Sequence, residues 1–224
     1  MSTCSTRPVE VQPTENGQVE VAKFISEYKV NADTQNDVLS TSDTVEYGAN
    51  DDGKDEAKVL LFGAVGKGNV DTVKSLLERG MDINARDSNY TPLDHAALKG
   101  NVDIVRLLIE RGAEVDSHDT LGWTALHWSS ALGHLEVSRV LLDHGADVNA
   151  MRCDHWTPLH KSAQNGYLGI VKLLLERGAD IYAVNDTGET PYQISLRNGF
   201  RKIADLLRKH SAGRLGERLD EILL

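Results

Sequence analysis

The chain predicts an all-α solenoid of stacked two-helix units, on two observations that share one period. Threonine stands at Thr91, Thr124, Thr157 and Thr190, 33 residues apart each time. A second phrase keeps the register: Leu76-Leu77-Glu78-Arg79-Gly80, Leu107 through Arg111-Gly112, Leu141-Leu142-Asp143-His144-Gly145 and Leu173 through Arg177-Gly178. Self-similarity at this spacing marks a repeat array, in which no unit can bury its apolar side except against a neighbour.

Each element follows from local physics. The repeated threonine suits an N-cap, its hydroxyl accepting a backbone N–H, and Pro92, Pro158 or Pro191 then takes the first helical position, where no donor is needed. That first helix passes through the small pairs Ala96-Ala97, Ser129-Ser130 and Ser162-Ala163 and ends near Gly100, Gly133, Gly166 and Gly199. A second helix starts at Asn101, His134 or Tyr167, carries Ile104, Val105, Leu107 and Leu108 or their equivalents, and stops at the glycine of the Arg-Gly or His-Gly pair. The linking segment holds a turn: Asp119-Thr120-Leu121-Gly122 and Asn185-Asp186-Thr187-Gly188 place Asp or Asn first and Gly fourth, as a type I turn prefers.

Two links depart from this pattern. The one from Gly80 to Thr91 is a residue shorter than the others, which gives the positive-φ duty of the missing glycine to Asn89. In the link before Thr157, His155 replaces that glycine, and φ above zero is predicted there.

The Thr157-Pro158-Leu159-His160 phrase, the paired small residues, Gly145 to Ala150 (Gly-Ala-Asp-Val-Asn-Ala) and Gly178 to Ile181 (Gly-Ala-Asp-Ile) resemble the ankyrin repeat family over about residues 57–213. The resemblance implies an L-shaped unit of two antiparallel helices with a projecting hairpin, and hence an all-α ankyrin-repeat solenoid of about five helix-turn-helix plus hairpin units. These fall at about 57–89, 90–122, 123–155, 156–188 and 189–213. The first has Leu61 and Ala64 in the Leu and Ala positions but no Thr-Pro, as a modified end cap would.

Outside the array, residues 1–54 are rich in Ser, Thr, Asn, Asp and Glu and read as a mostly disordered acidic tail. Within it Val21, Phe24, Ile25 and Tyr28 share one helical face, so a short helix over 19–30 is expected to bind a partner or brace the first unit. At the other end Leu215, Leu219, Ile222 and Leu223 have helical spacing, and 214–224 reads as a short closing helix.

Charge and cysteine usage bound the function. The chain has 224 residues and a formal net charge of −10. Most of that lies in residues 1–56, where 12 Asp and Glu face 4 Lys and Arg, so general nucleic-acid binding is not expected. Cys4 and Cys153 are too few for a disulfide framework, and neither a membrane span nor a signal peptide is apparent, which together predict a cytoplasmic or nuclear protein.

No constellation calls for catalysis, a metal or a cofactor. His127 and His160 fall at equivalent places in consecutive units, about 10 Å apart by helix packing, whereas a shared zinc needs bonds of about 2 Å. They are expected to tie units together by hydrogen bonds. Cys153, Asp154 and His155 name a nucleophile, an acid and a base, but neighbours on a turn point apart. A Gly-rich phosphate loop is also missing.

Binding therefore carries the function. The resemblance implies a scaffold, adaptor or inhibitory subunit that grips a partner protein with the concave face of hairpins and first helices. The residue before each repeated threonine belongs to that face, and here it is Tyr90, Trp123, Trp156 or Glu189. Trp128, Leu121, Lys99, Leu132, Asn165 and Lys161 complete the candidate site. Large aromatics are enriched among interface hot spots, so Ala at Trp123 and Trp156 is expected to weaken binding and leave melting unchanged. Towards the carboxyl end the face turns polar and basic, with Arg197, Arg201, Lys202, Arg208, Lys209, Arg214 and Arg218 over 197–218, so the expected partner has an apolar anchor and an acidic segment. The protein is expected to be a monomer. Two alternatives stand beside this reading: Asn84 and Asn149 lie in hairpin sequences like those that asparaginyl hydroxylases modify in the family, or the acidic tail covers the face and regulates it.

Overall fold

The computed structural model describes residues 51–87 and 89–222, with side chains over 57–87 and 89–212. The tail before Asp51, with the helix expected at 19–30, lies outside the described residues. Ten helices follow in order: α1 (Asp51–Lys67), α2 (Val70–Glu78), α3 (Pro92–Lys99), α4 (Val102–Glu110), α5 (Ala125–Leu132), α6 (Leu135–Asp143), α7 (Pro158–Asn165), α8 (Leu168–Glu176), α9 (Pro191–Arg197) and α10 (Arg201–Ile222). Odd-numbered helices pack side by side as an inner row, and even-numbered ones form an outer row behind them.

The predicted caps are all present. Thr91, Thr124, Thr157 and Thr190 each accept the backbone N–H three residues on, and the side chain at that third position, Asp94, His127, His160 or Gln193, accepts the threonine N–H in return. Glycine at the far end of the inner helix has a packing reason as well as a conformational one. At Gly133, with φ 84, an added Cβ would lie 2.5 Å from the ring of Tyr167, which caps the start of α8.

The core is continuous along the stack. Leu61, Leu93, Leu126 and Leu159 on the inner row face Val73, Ile104, Val105, Leu108, Val137, Leu141, Ile170, Val171 and Leu174 on the outer row, all buried in one cluster. Ser129 and Ser138 are buried between α5 and α6, their hydroxyls 2.8 Å apart.

Hairpins join each outer helix to the next inner one. Around Thr120–Leu121, Asp119 N donates to Trp123 O at 3.0 Å and Gly122 N to Asp119 O at 3.0 Å, a type I turn followed by a left-handed residue. His155 takes that left-handed place with φ 57, as its position opposite Gly122 and Gly188 predicted. The short link closes differently: Asp87 and Tyr90 exchange both backbone hydrogen bonds, at 3.0 and 2.9 Å, so the missing residue is removed from the turn itself. The φ expected at Asn89 depends on Ser88, which lies outside the described residues.

Both ends differ from expectation. Helix α1 begins at Asp51, inside the stretch assigned to the tail, and runs 17 residues where the later inner helices run seven or eight. Among the described residues no separate closing helix begins after residue 213, because α10 continues unbroken to Ile222. No proline follows Pro191, and the glycines at 213 and 216 are not enough to stop a helix already nucleated.

Candidate protein-interaction face

The position before the repeated threonine sits at the hairpin base, where the hairpin meets its own inner helix and the next. Trp123, just before the Thr124 cap of α5, and Trp128, one turn into that helix, stack with ring centroids 4.1 Å apart and planes 15° from parallel. Tyr90 meets the edge of Trp128 at 5.5 Å. Two cations close the other side: the Arg152 guanidinium, from the next hairpin, lies 4.3 Å from the Trp123 centroid, and Lys161 Nζ, from the following unit, lies 5.3 Å from Trp123 and 4.2 Å from Trp156. Three units are thus joined by one ring-and-cation row.

That packing corrects the expectation for two of the tryptophans. Trp123 is 6% exposed and Trp128 4%, and both belong to the core cluster. They build the face from beneath and do not project from it, so truncating Trp123 is now expected to lower the melting midpoint. Trp156 stays half-buried because the residue four places after its threonine is Lys161, where Trp123 has Trp128. Tyr90, Leu121, Leu132, Lys161 and Asn165 are also half-buried, and Lys99 is exposed at the end of α3. Asn165 is engaged, its Nδ2 donating to Ala131 O on the neighbouring inner helix at 2.7 Å.

The histidines tie units together as expected. The Thr124 N–H points at His127 Nδ1 at 3.3 Å, which makes that nitrogen the acceptor and leaves Nε2–H to donate to Trp156 O at 3.1 Å. His160 repeats this with Thr157 and Glu189 O, at 3.2 and 3.1 Å. Burial first, and then the charges of Arg152 and Lys161, push His127 down to about 3. Burial likewise lowers His160. Asp94 holds the same place in the preceding unit, and burial pushes its carboxyl up to about 6 against the hydrogen bonds from Thr91.

The hairpin tips are knitted by side-chain amides and carboxylates. Asn84 Oδ1 accepts Glu114 N at 3.1 Å, Asp116 Oδ1 accepts Asp147 N at 3.0 Å and Asn149 Oδ1 accepts Asp180 N at 2.8 Å. Both asparagines named as hydroxylation candidates therefore hold the backbone of the next unit.

Cys153 and His155 do not converge. The Cys153 thiol points at Thr120 O, and His155 Nδ1 pairs with Asp186 of the following hairpin. Among the described residues no group of three or more His, Cys, Asp and Glu is placed to hold a metal ion, and no helix is long and apolar enough to cross a membrane. Arg197 pairs with Glu189 at 2.9 Å and Arg208 with Asp205 at 2.9 Å, while Arg201, Lys202 and Lys209 are exposed.

Sequence reasoning missed two residues of this face. Met151 and Val184, 33 apart on consecutive hairpins, are 60% and 53% exposed. The same step holds Arg86 and His118 in the earlier units, where Arg86 Nη1 donates to His118 O at 3.0 Å. The signal was a change of chemistry at a fixed step of the repeat.

Capped helix pairs, knitted hairpins and one lined face define a helical repeat protein of the binding kind. The family sequence model described as ankyrin repeats (3 copies) matches residues 14–119, 61–152, 111–185 and 150–215, and the chain belongs to the ankyrin repeat family. No curated protein matches the chain.

Proposed function

We propose that this protein captures a partner protein on the face formed by its hairpins and inner helices, acting as a scaffold, adaptor or inhibitory subunit. Ankyrin repeats generally serve as non-catalytic protein–protein interaction modules. The observation that carries the particular reading is an apolar pair, Met151 and Val184, exposed at the same step of consecutive hairpins in the units that also carry the half-buried Trp156 and the Lys161 laid across it. An apolar anchor of the partner would enter between Met151, Trp156 and Val184, and its acidic segment would run beside Lys161 and towards Arg201 and Lys202.

Replacing Met151 and Val184 together by Asp tests the site without touching the core. Affinity capture from the source cell with the intact chain should retain a partner that the double variant loses about tenfold or more, with both chains melting within about 2 °C of each other. Equal capture by the two proteins removes the pair from the site.

A further inference from the structure

Helix α1 leaves bare the positions that every later unit covers. Gly68, Ala64 and Leu61 precede Gly100, Ala96 and Leu93 by 32 residues, which puts Leu60 at the step of Pro92, Ala125, Pro158 and Pro191, and Val59 at the step of the capping threonines. Those four later residues are all buried. Pro191 is buried although no inner helix follows α9, so the cover comes from the amino-terminal side or from the unit's own hairpin. Among the described residues α1 has neither, and Leu60 is 40% and Val59 70% exposed. One turn on, Gly63 is exposed and a Cβ there would meet nothing within 4 Å. Val59 and Leu60 thus form an apolar shelf beside open space.

The upstream chain supplies an occupant. Val21, Phe24, Ile25 and Tyr28 fall at i, i+3, i+4 and i+7, one apolar stripe with Lys23 and Glu27 outside it. The family match begins at residue 14, so similarity to a repeat unit extends over this segment. Reach is no obstacle: the 22 residues between Tyr28 and Asp51 can span about 70 Å, and α1 is about 25 Å long. A helix this short needs a surface to dock on, and an end unit needs a cover.

We infer that residues 21–28 dock as a helix on the Val59–Leu60 shelf beside Gly63, and that this vestigial unit closes the amino-terminal end of the stack. A double-mutant cycle on the full chain tests it, with glutamine as the probe because it keeps helix propensity. Val59→Gln on a bare helix face leaves melting unchanged. On a docked one, Val59→Gln and the pair Phe24→Gln/Ile25→Gln each lower the melting midpoint by about 3 °C or more, and the combined variant melts no lower than the worse of the two. Hydrogen exchange at the α1 amides should quicken in both. Additive losses, or no loss from either change, overturn the inference. A Val59→Gln protein that melts normally but loses its partner gives the shelf to that partner, and a melting midpoint that falls on dilution gives it to a second copy; both outcomes overturn it too.

Discussion

Asp94 and His127 occupy the same step of consecutive units, and both accept the N–H of the threonine that caps their own helix, at 2.9 and 3.3 Å. Beyond the cap they part. His127 has a second nitrogen, which donates to Trp156 O in the next unit, whereas the hydrogen bonds of Asp94 among the described residues all go to Thr91. The junction after α5 therefore has a tie at this step of the inner row that the junction after α3 lacks: there Tyr90 packs against Trp128, and the hydrogen bonds between the units lie elsewhere, from His134 Nε2 to Leu98 O and from Asp147 N to Asp116 Oδ1. Capping needs only an acceptor, which Asp, His and Gln193 all provide. Tethering needs a side chain that accepts at one end and donates at the other, and histidine is the residue that does both.

If aromatic packing stands in for the missing tie, removing it should do the most damage. Trp123→Ala deletes a buried ring stacked on Trp128 and is expected to cost about 3–5 kcal/mol in chemical denaturation. Trp156→Ala, at the same step one unit later, removes a half-buried ring and should cost less than about 1.5 kcal/mol. Comparable losses from the two would mean that the stack does not distinguish the junctions.

The tether itself comes next. His127→Ala strands the Thr124 N–H and leaves Trp156 O with only the Arg152 N–H as donor, an expected loss of about 2–3 kcal/mol at pH 7. The loss should shrink on acidification. His127 is held near 3 in the folded chain against about 6.5 unfolded, so the unfolded chain takes up the proton first and the wild-type advantage fades as pH falls from about 6.5 towards 3.

Asp94 carries the opposite sign. Its folded pKa of about 6 lies above the ordinary 3.8, so its protonated form stabilises the fold fully below about pH 3.8 and that contribution is lost as pH rises through about 6. Asp94→Asn keeps an acceptor for Thr91 and discards the buried charge. It should gain about 1–3 kcal/mol over wild type at pH 7 and little at pH 4, read from urea midpoints at the two values. A variant less stable at pH 7 than at pH 4, relative to wild type, would reverse the assigned sign.

These contrasts mark how far the sequence could be read. Thr91, Thr124, Thr157 and Thr190 betrayed their caps, and His127 and His160 their role as ties, because the cap recurs in four units and the tie in two consecutive ones, and both leave a periodic trace. The tryptophans did not disclose their burial. Trp123 and Trp156 share one step of the repeat, and what separates them is the residue four places after each threonine, Trp128 in one unit and Lys161 in the next. Arg152, which covers Trp123, comes from a different hairpin. Burial at the site is set by contacts between units, and those have no period. The unbroken α10 was missed for a related reason: Leu215, Leu219 and Ile222 showed helical spacing, but spacing alone does not say where one helix joins another.

The smallest expected effect separates two hairpins of the same junctions. Gly122 turns the hairpin before Thr124 at φ 79, and His155 does the same duty before Thr157 at φ 57. A residue with a Cβ is strained there by about 1 kcal/mol, and His155 is exposed, so packing does not offset that cost. What opposes it is the pair with Asp186 across to the next hairpin, and exposed pairs of this kind contribute about 0–1 kcal/mol. His155→Gly should therefore raise stability by about 0.5 kcal/mol at high salt, where the pair is screened, and by less at low salt. Asp186→Asn separates the two contributions, since it removes the charge pair and leaves the backbone strain in place. If His155→Gly destabilises the protein in both salts, the strained turn is held by more than that pair.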